Sequence, residues 1–185
     1  MAYLSDSQLS QMRFGRLGRN VLISDKASLY NCEAMEIGDH SRIDDFCVVS
    51  GRVVLGRNVH IAPFCLVAGG EPGVTLEDFA GLAYHVQVFS QSDDYLGHSM
   101  TNPTVPARFK SEFKAAVHLG RHVIVGAGSV ILPGVLIAEG CSVGAMSLVR
   151  KSTQPWGVYA GNPARRVKTR SRDLLELEAQ YLAGA

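Results

Sequence analysis

Aliphatic residues recur at every sixth position along two long stretches of the chain. Each stretch contains six successive members, the first beginning at position 37 and the second at position 119. The members are Ile37, Ile43, Val49, Leu55, Ile61 and Val67, followed by Leu119, Val125, Ile131, Ile137, Val143 and Val149. An amphipathic helix requires a period near 3.6 and a half-buried strand a period of 2, so neither structure explains the pattern.

A step of six predicts a short extended segment followed by a tight corner. Three such segments close one triangular coil, with an aliphatic side chain pointing inward on each face. Stacked coils can then pair as parallel strands, and the interior becomes a column of Val, Ile and Leu. We therefore predict a parallel β-helix of about six coils from about Leu17 to Arg150. The register breaks at positions 35–36, 73–75 and 91–118.

The repeat resembles that of the hexapeptide-repeat family, in which an aliphatic residue precedes a small or acidic residue, two variable positions and a small residue. Val125, Gly126 and Ser129 form one such unit. The resemblance covers roughly residues 15–168. It implies an all-β fold, a left-handed parallel β-helix, and the handedness comes from the family alone.

Both ends of the chain depart from the repeat. Residues 5–12 predict a short helix that Ser5 caps, with Gln8 three residues further on. The segment after position 170 has its leucines at helical spacing, and either helix could cover an open end of the prism. We expect three parts, which are an N-terminal helical cap over 1–16, a β-helix domain over 17–168 and a C-terminal helix over 169–185.

The overall composition excludes several classes of function. The chain carries 18 Lys and Arg against 17 Asp and Glu, so no electrostatic feature favours nucleic-acid binding. Its four cysteines form no CxxC pair and no zinc spacing, which indicates reduced thiols. The uncharged stretch 123–138 is short for a membrane span and is interrupted by Pro133-Gly134. We therefore expect a cytoplasmic protein without a signal peptide or membrane insertion.

The longest interruption of the six-residue repeat is the protruding segment 90–116, which has no hydrophobic periodicity of its own. Loops of this length inside a compact domain usually carry function. Its polar side chains are candidates for catalysis or for binding an acceptor. They are His98, Asp93, Asp94, Tyr95, Asn102, Arg108, Lys110 and Lys114.

The order of the parts resembles the galactoside and maltose O-acetyltransferases and the acetyltransferases of bacterial surface-polysaccharide synthesis. That family carries a histidine in a loop before its last run of hexapeptides, where His98 lies in this chain. The resemblance implies that His98 is the general base, and a neutral imidazole can accept a proton near physiological pH. The other loop side chains would bind or orient the acceptor, together with His85.

A metal site is not expected. The γ-class carbonic anhydrases share the fold and bind zinc through three histidines. His85, His118 and His122 approximate their order with the wrong spacings, and ligands to zinc must converge closely.

The last coils and the segment after them resemble the part of these enzymes that binds acetyl-CoA. The resemblance implies that the main chains of Ala127 and Ala145 hydrogen-bond the pantetheine amides. It also implies cations at the nucleotide end and its 3′-phosphate, because phosphates form charge-assisted hydrogen bonds. These cations are Arg150, Lys151, Arg165 and Lys168.

Three functions remain open at this point. The first is an acetyl-CoA-dependent O-acetyltransferase that acts by direct transfer on a sugar hydroxyl of a galactoside or surface-polysaccharide precursor. The second is an N-acetyltransferase on a nucleotide-linked amino sugar, and the third is a non-catalytic β-helix scaffold. The resemblance further implies a homotrimer with active sites between subunits. Outward Phe46, Phe64 and Phe79 on flat prism faces would suit burial at such an interface.

Overall fold

Short strands separated by tight corners wind the chain into a left-handed β-helix of about seven turns. The structure is a computed structural model, and it describes residues 2–184. Helix α1 spans Asp6–Gln11, helix α2 spans Leu174–Ala183, and two 3₁₀ turns span Cys32–Ala34 and Ala107–Phe109. The strands are β1 (Arg16–Leu17), β2 (Leu22–Ile23), β3 (Ser28–Tyr30), β4 (Met35–Ile37), β5 (Arg42–Ile43), β6 (Val48–Leu55), β7 (His60–Ile61), β8 (Leu66–Leu76), β9 (Gly81–Leu82), β10 (Gln87–Phe89), β11 (Gln91–Ser92), β12 (Phe113–Lys114), β13 (Val117–Leu119), β14 (Ile124–Val125), β15 (Val130–Ile131), β16 (Leu136–Ile137), β17 (Ser142–Val143), β18 (Leu148–Val149), β19 (Gly157–Ala160) and β20 (Arg165–Thr169).

The strands form three flat faces. Face 1 contains β1, β4, the second halves of β6 and β8, β13 and β16. Face 2 contains β2, β5, β7, β9, β14, β17 and β19. Face 3 contains β3, the first halves of β6 and β8, β10, β15 and β18. Corner 1 joins faces 1 and 2, corner 2 joins faces 2 and 3, and corner 3 leads back to face 1. The predicted parallel β-helix is confirmed.

The interior is a column of aliphatic side chains. Each of the predicted inward residues in the two six-step runs is at most 3% exposed. Burial of one such side chain contributes about 1.5–3 kcal/mol, so the column supplies the main drive for folding. Small residues fill the inner side of the corners, where Ser129 Oγ donates to the Gly144 carbonyl at 2.9 Å and Ser41 Oγ to the Gly56 carbonyl at 2.8 Å.

Every turn of corner 1, and every turn of corner 2 after the first, has one residue with positive φ, and these residues stack on one another along the prism. The corner 1 series is Asn20, His40, Asn58, Phe79, His122, Gly140 and Trp156. The corner 2 series is Phe46, Phe64, His85, Gly128 and Met146. The expectation that Phe46, Phe64 and Phe79 lie on flat faces is therefore wrong. Outward positions on the faces belong to strands, whereas these rings lie at corners.

The two terminal helices have different roles. Ser5 caps α1 in a reciprocal capping box with Gln8, and Leu9 is buried in the core at the N-terminal end. Helix α2 covers no open end and instead lies along corner 1, where the Tyr181 ring meets Phe79 edge-on. The reason is that β20 pairs antiparallel with β19 and already covers the last coil.

Arg170 directs the chain from β20 toward the side of the prism. Its guanidinium donates to the carbonyl oxygens of His122, Gly140 and Cys141 at 2.7–3.2 Å. Burial lowers the pKa of this Arg170 group. Within the described residues, neither α-helix is long and apolar enough to cross a membrane.

Candidate functional site

The protruding loop is rooted at corner 3. β11 and β12 pair antiparallel at its base, and the Ala115 N–H donates to the Ser90 carbonyl at 2.9 Å. Beyond this base, Met100 and Lys110 form a further bridge. The loop is therefore held by main-chain pairing at two levels.

The loop carboxylates are used mainly to shape the loop. Asp94 accepts main-chain hydrogen bonds from Leu96 and Ser99, both at 2.8 Å. The bond from Leu96 has the largest effect, and together these bonds lower the pKa of Asp94 although desolvation opposes them. Asp93 accepts the Asn102 N–H at 3.3 Å, and the Asn102 side chain accepts from Thr104.

The side chains of His98 and Tyr95 take no part in this network. Tyr95 is 90% exposed, and His98 is exposed without a hydrogen bond from its ring to any residue in 2–184. His85 lies at corner 2, where its ring stacks on Phe64 with centroids 4.8 Å apart. From His85 at corner 2 the chain crosses face 3 as β10 and enters the loop at corner 3. His85 and His98 therefore lie at different corners of the same prism.

Ala127 and Ala145 lie directly above one another at corner 2. The Met146 N–H donates to the Ala127 carbonyl at 2.8 Å, and the Gly128 N–H to the Tyr84 carbonyl at 2.9 Å. The N–H groups of Ala127 and Ala145 themselves make no hydrogen bond within the described part of the chain. Two main-chain donors are therefore open along one edge. The pantetheine contacts that the family resemblance implies for them stay a prediction.

The predicted cations separate into two groups. Lys151 and Arg165 line one depression of about 370 Å³, together with Ser152, Tyr159 and Arg166. Lys168 lies further along β20, opposite Val158, and Arg150 is exposed after β18.

Two cations of the C-terminal segment serve other contacts. Arg170 is the structural residue described above, and the Arg172 guanidinium lies 5.2 Å from the Trp156 ring centroid. The basic run is therefore only partly available to a phosphate.

Two of the three histidines that resemble zinc ligands contact carboxylates, on different sides of the prism, and the third, His85, stacks on Phe64. His118 Nε2 lies 2.8 Å from Glu77 Oε1 on face 1, and His122 Nε2 lies 2.9 Å from Glu178 Oε2 at corner 1. Across residues 2–184, no group of three or more His, Cys, Asp or Glu side chains is arranged to hold a metal ion.

Sequence reasoning missed one polar cluster, which lies on face 2 beside corner 2. Asp44 is 1% exposed there, with Arg42 and His60 on either side. The available signal was the spacing of 18 residues between Arg42 and His60, each directly before an inward isoleucine. One coil separates them, so their side chains stack on the same face.

Two stretches of the repeat, residues 34–69 and 116–151, match the family described as bacterial transferase hexapeptide (six repeats). A relative from Escherichia coli, dTDP-4-amino-4,6-dideoxy-D-glucose acyltransferase, is 40% identical over 188 residues. This match covers 100% of the chain and 97% of the relative. The chain belongs to the hexapeptide-repeat transferase family.

Solved members of this family extend the comparison. A variant of AntD, an N-acyltransferase from Bacillus cereus, in complex with dTDP-4-amino-4,6-dideoxyglucose and coenzyme A is 42% identical, with a TM-score of 0.98. The match covers 100% of this chain and 99% of AntD. AntD in complex with dTDP and 3-hydroxybutyryl-CoA is also 42% identical, with a TM-score of 0.97 over 98% of this chain and 97% of AntD.

A more distant hexapeptide-repeat transferase agrees in fold alone. The maltose O-acetyltransferase from Clostridium difficile is 20% identical, with a TM-score of 0.58 over 91% of this chain and 79% of that protein. The predicted family and left-handed β-helix are confirmed by these matches. The AntD complexes contain coenzyme A or an acyl-CoA, in agreement with the predicted acyl-CoA donor.

Proposed function

We propose that this protein is an acyl-CoA-dependent N-acyltransferase that acylates the amino group of a dTDP-linked amino sugar. The observation that carries the proposal is similarity over the whole chain, at 40–42% identity, to two acyltransferases. One has that amino sugar in its name, and the other was solved in complex with it. The O-acetyltransferase structure shares only 20% identity. Of the functions that the sequence left open, the comparisons therefore favour acylation of a nucleotide-linked amino sugar over O-acetylation of a sugar hydroxyl.

The residues of corner 2 and of the C-terminal segment fit a CoA thioester. The open N–H groups of Ala127 and Ala145 would bind the pantetheine amides, and Lys151 and Arg165 would meet the 3′-phosphate. The bound donor supplies an activated acyl group. The chain has to hold that group beside the acceptor amine and remove a proton from the amine during attack.

A homotrimer with active sites between subunits is part of the proposal. The candidate pantetheine edge is at corner 2, whereas the loop with His98 is rooted at corner 3 of the same chain. A second copy can place its loop against corner 2. Phe46 and Phe64 are 51% and 48% exposed at that corner and would suit such a contact.

The test offers purified protein a choice of acceptors at one acyl-CoA concentration. Acceptors are dTDP-4-amino-4,6-dideoxyglucose, dTDP-6-deoxyglucose as the matched hydroxyl compound, and a galactoside. Thiol release gives the rate, and mass spectrometry identifies the acylated product. We expect kcat/KM for the amino sugar to exceed that for either hydroxyl acceptor by at least about 100-fold, because a site built for an amine discriminates strongly.

Two results would contradict the proposal. Preference for a galactoside would restore the O-acetyltransferase. Absence of thiol release with all three acceptors would favour the scaffold. The roles of His98 and of the other loop side chains, and the cytoplasmic location, stay predictions.

A further inference from the structure

The cluster on face 2 contains a buried carboxylate that two side chains hold. Arg42 Nε lies 2.8 Å from Asp44 Oδ1, and Arg42 Nη2 donates to Asp44 Oδ2 at 2.8 Å. His60 Nε2 lies 2.8 Å from the same Oδ2. A carboxylate this buried stays charged only when it is paired, and the guanidinium provides that pairing.

The charge on Asp44 decides where the His60 proton lies. An ionised carboxylate only accepts hydrogen bonds, so His60 Nε2 has to carry the hydrogen and donate it. Arg42 Nη2 also approaches this nitrogen, at 3.2 Å, but the shorter charge-assisted bond to Asp44 is the stronger one. Nδ1 is therefore the nitrogen with the free lone pair, as in other histidines that a carboxylate orients.

The surroundings leave the His60 ring accessible. Its side chain is 45% exposed. The next residue on the same face is Gly81, which adds no side chain above the ring. A methyl group at Gly81 would touch only Ile124 Cδ1 at 3.2 Å and the His60 carbonyl at 3.8 Å.

The cluster lies on the same edge as the candidate pantetheine contacts. Asp44 stacks below Ala62, Ala83 and Gly126 through successive main-chain hydrogen bonds of 2.9–3.0 Å to the adjacent coils. Coils are about 4.8 Å apart, so Ala127 is two coils, or about 10 Å, above the coil of His60. Arg165 lies on β20, which pairs with the strand above the coil of Ala145, so the acyl end of a donor held there would extend downward toward Tyr84 and His60.

We propose that His60, oriented by Asp44, accepts the proton of the sugar amine during acyl transfer, an inference that rests on the proposed function. The amine nitrogen forms a bond to the thioester carbonyl carbon as the proton moves to His60 Nδ1. The C–S bond then breaks, and the sulfur leaves as thiolate. His60 returns the proton to that sulfur, so the products are the amide and the free CoA thiol.

In this mechanism His60 is the catalytic residue, and Asp44 is a positioning residue that fixes the ring and its tautomer. His98, the base predicted from the sequence, has no carboxylate of its own chain to orient it among residues 2–184. His60 and His98 cannot both be the sole base, so the turnover of a His60 variant decides between them.

The test compares His60→Gln with His118→Gln. Glutamine at 60 keeps an N–H for Asp44 but has no proton-accepting ring nitrogen, which separates catalysis from packing. His118 is the matched control, since it also lies 2.8 Å from a carboxylate, but on face 1. We expect His60→Gln to lower kcat by about 10²–10⁴-fold with little change in KM for acyl-CoA, and His118→Gln to leave both unchanged.

Two further variants keep the result decisive. If His60→Gln also lowers the melting temperature, His60→Ala with added imidazole replaces it as the test, and rescue of turnover is expected. Asp44→Asn should lower kcat without raising the acyl-CoA KM, because the tautomer of His60 is no longer fixed.

Failure of the wild type to acylate the amino sugar would contradict the proposed function. Wild-type turnover in His60→Gln, or no rescue of His60→Ala, would overturn the role of His60 alone.

Discussion

Bulky residues occupy left-handed backbone positions at the corners, where glycine or asparagine is the usual choice. Phe46 and Phe64 have φ of 60° and 64°, and Trp156 has φ of 55°. This conformation costs about 1–2 kcal/mol for a residue with a Cβ. Stacking offsets part of that cost, since the Phe46 and Phe64 centroids are 5.1 Å apart, and a good aromatic pair contributes about 0.5–1.5 kcal/mol.

Gly140 marks the point where one such stack has no room for a side chain. A Cβ at Gly140 would lie 2.3–2.5 Å from atoms of the Trp156 ring. Gly140→Ala should therefore destabilise the fold through both the left-handed φ of 69° and overpacking. We expect the free energy of unfolding to fall about 1–3 kcal/mol further than in a control with the backbone effect alone.

Gly97→Ala is that control. Gly97 has φ of 80°, and a Cβ there would meet no atom within 4 Å. Chemical denaturation of both variants gives the comparison. Equal losses would show that Trp156 moves aside without cost.

At the residue scale, periodicity predicted the inward aliphatics because burial on each face selects them directly. It did not predict the corner aromatics, since a left-handed position favours glycine when single residues are considered. It also missed the cluster of Arg42, Asp44 and His60, whose significance depends on which side chains stack across coils.

Helix α2 is held to corner 1 by a buried ionic group. Glu178 accepts from His122 at 2.9 Å and pairs with Arg121, and its side chain is 8% exposed. Burial raises the pKa of Glu178, but the bonds from His122 and Arg121 lower it by more, so the net pKa lies below its ordinary value. The charged form is therefore the one that holds the helix.

Replacement of Glu178 by Gln should loosen this attachment at neutral pH. We expect the free energy of unfolding to fall by about 1–3 kcal/mol at pH 7, the range for loss of a charge-assisted bond. A carboxyl with a lowered folded pKa stabilises above its unfolded pKa, near 4.5, and loses that effect as the pH falls through the folded value. The difference between wild type and Glu178→Gln should therefore close in acid.

Denaturation of wild type, Glu178→Gln and Glu176→Gln at pH 7 and in acid provides the measurement. Glu176 lies exposed on the same helix and should have little effect at either pH. A gap between wild type and Glu178→Gln that persists in acid would contradict the ionic attachment.

At the element scale, the sequence predicted both helices but only one of their positions. Ser5 and Gln8 form the capping box that local sequence specifies. The position of α2 depends on Arg170 and Glu178, which bind carbonyls and side chains from distant coils. Leu177, part of the helical apolar pattern, is 65% exposed, so the pattern alone does not identify the buried side.

The proposed trimer is a prediction about the whole molecule. Light scattering should give a mass three times that of the 19.9 kDa chain. Phe64→Ser should shift the distribution toward the single chain, because it removes an exposed apolar ring from corner 2. Leu177→Ser is a matched apolar control on α2 and should leave the mass unchanged.

A single-chain mass for the wild type would instead remove the trimer from the proposal. The step of six was sufficient to predict the stacked parallel coils, because the same inward position recurs on every coil, whereas the handedness came from the family resemblance. The candidate site was beyond such reasoning, since the loop with His98 is rooted at corner 3 and the open main-chain donors lie at corner 2, and the repeat does not show which side chains stack across coils.

The regular stacking of corner 2 also determines lengths in whole coils. Equivalent positions on this edge differ by multiples of about 4.8 Å, so a point substitution cannot lengthen the span from Ala145 to the coil of His60. Under the proposed function, a donor with a longer acyl group would keep its pantetheine at Ala127 and Ala145, and its added carbons would extend below Tyr84. Selection among acyl chains would then fall to the lower coils of face 2, at the level of Arg42, and a change in chain-length preference of more than a few atoms would require gain or loss of a coil.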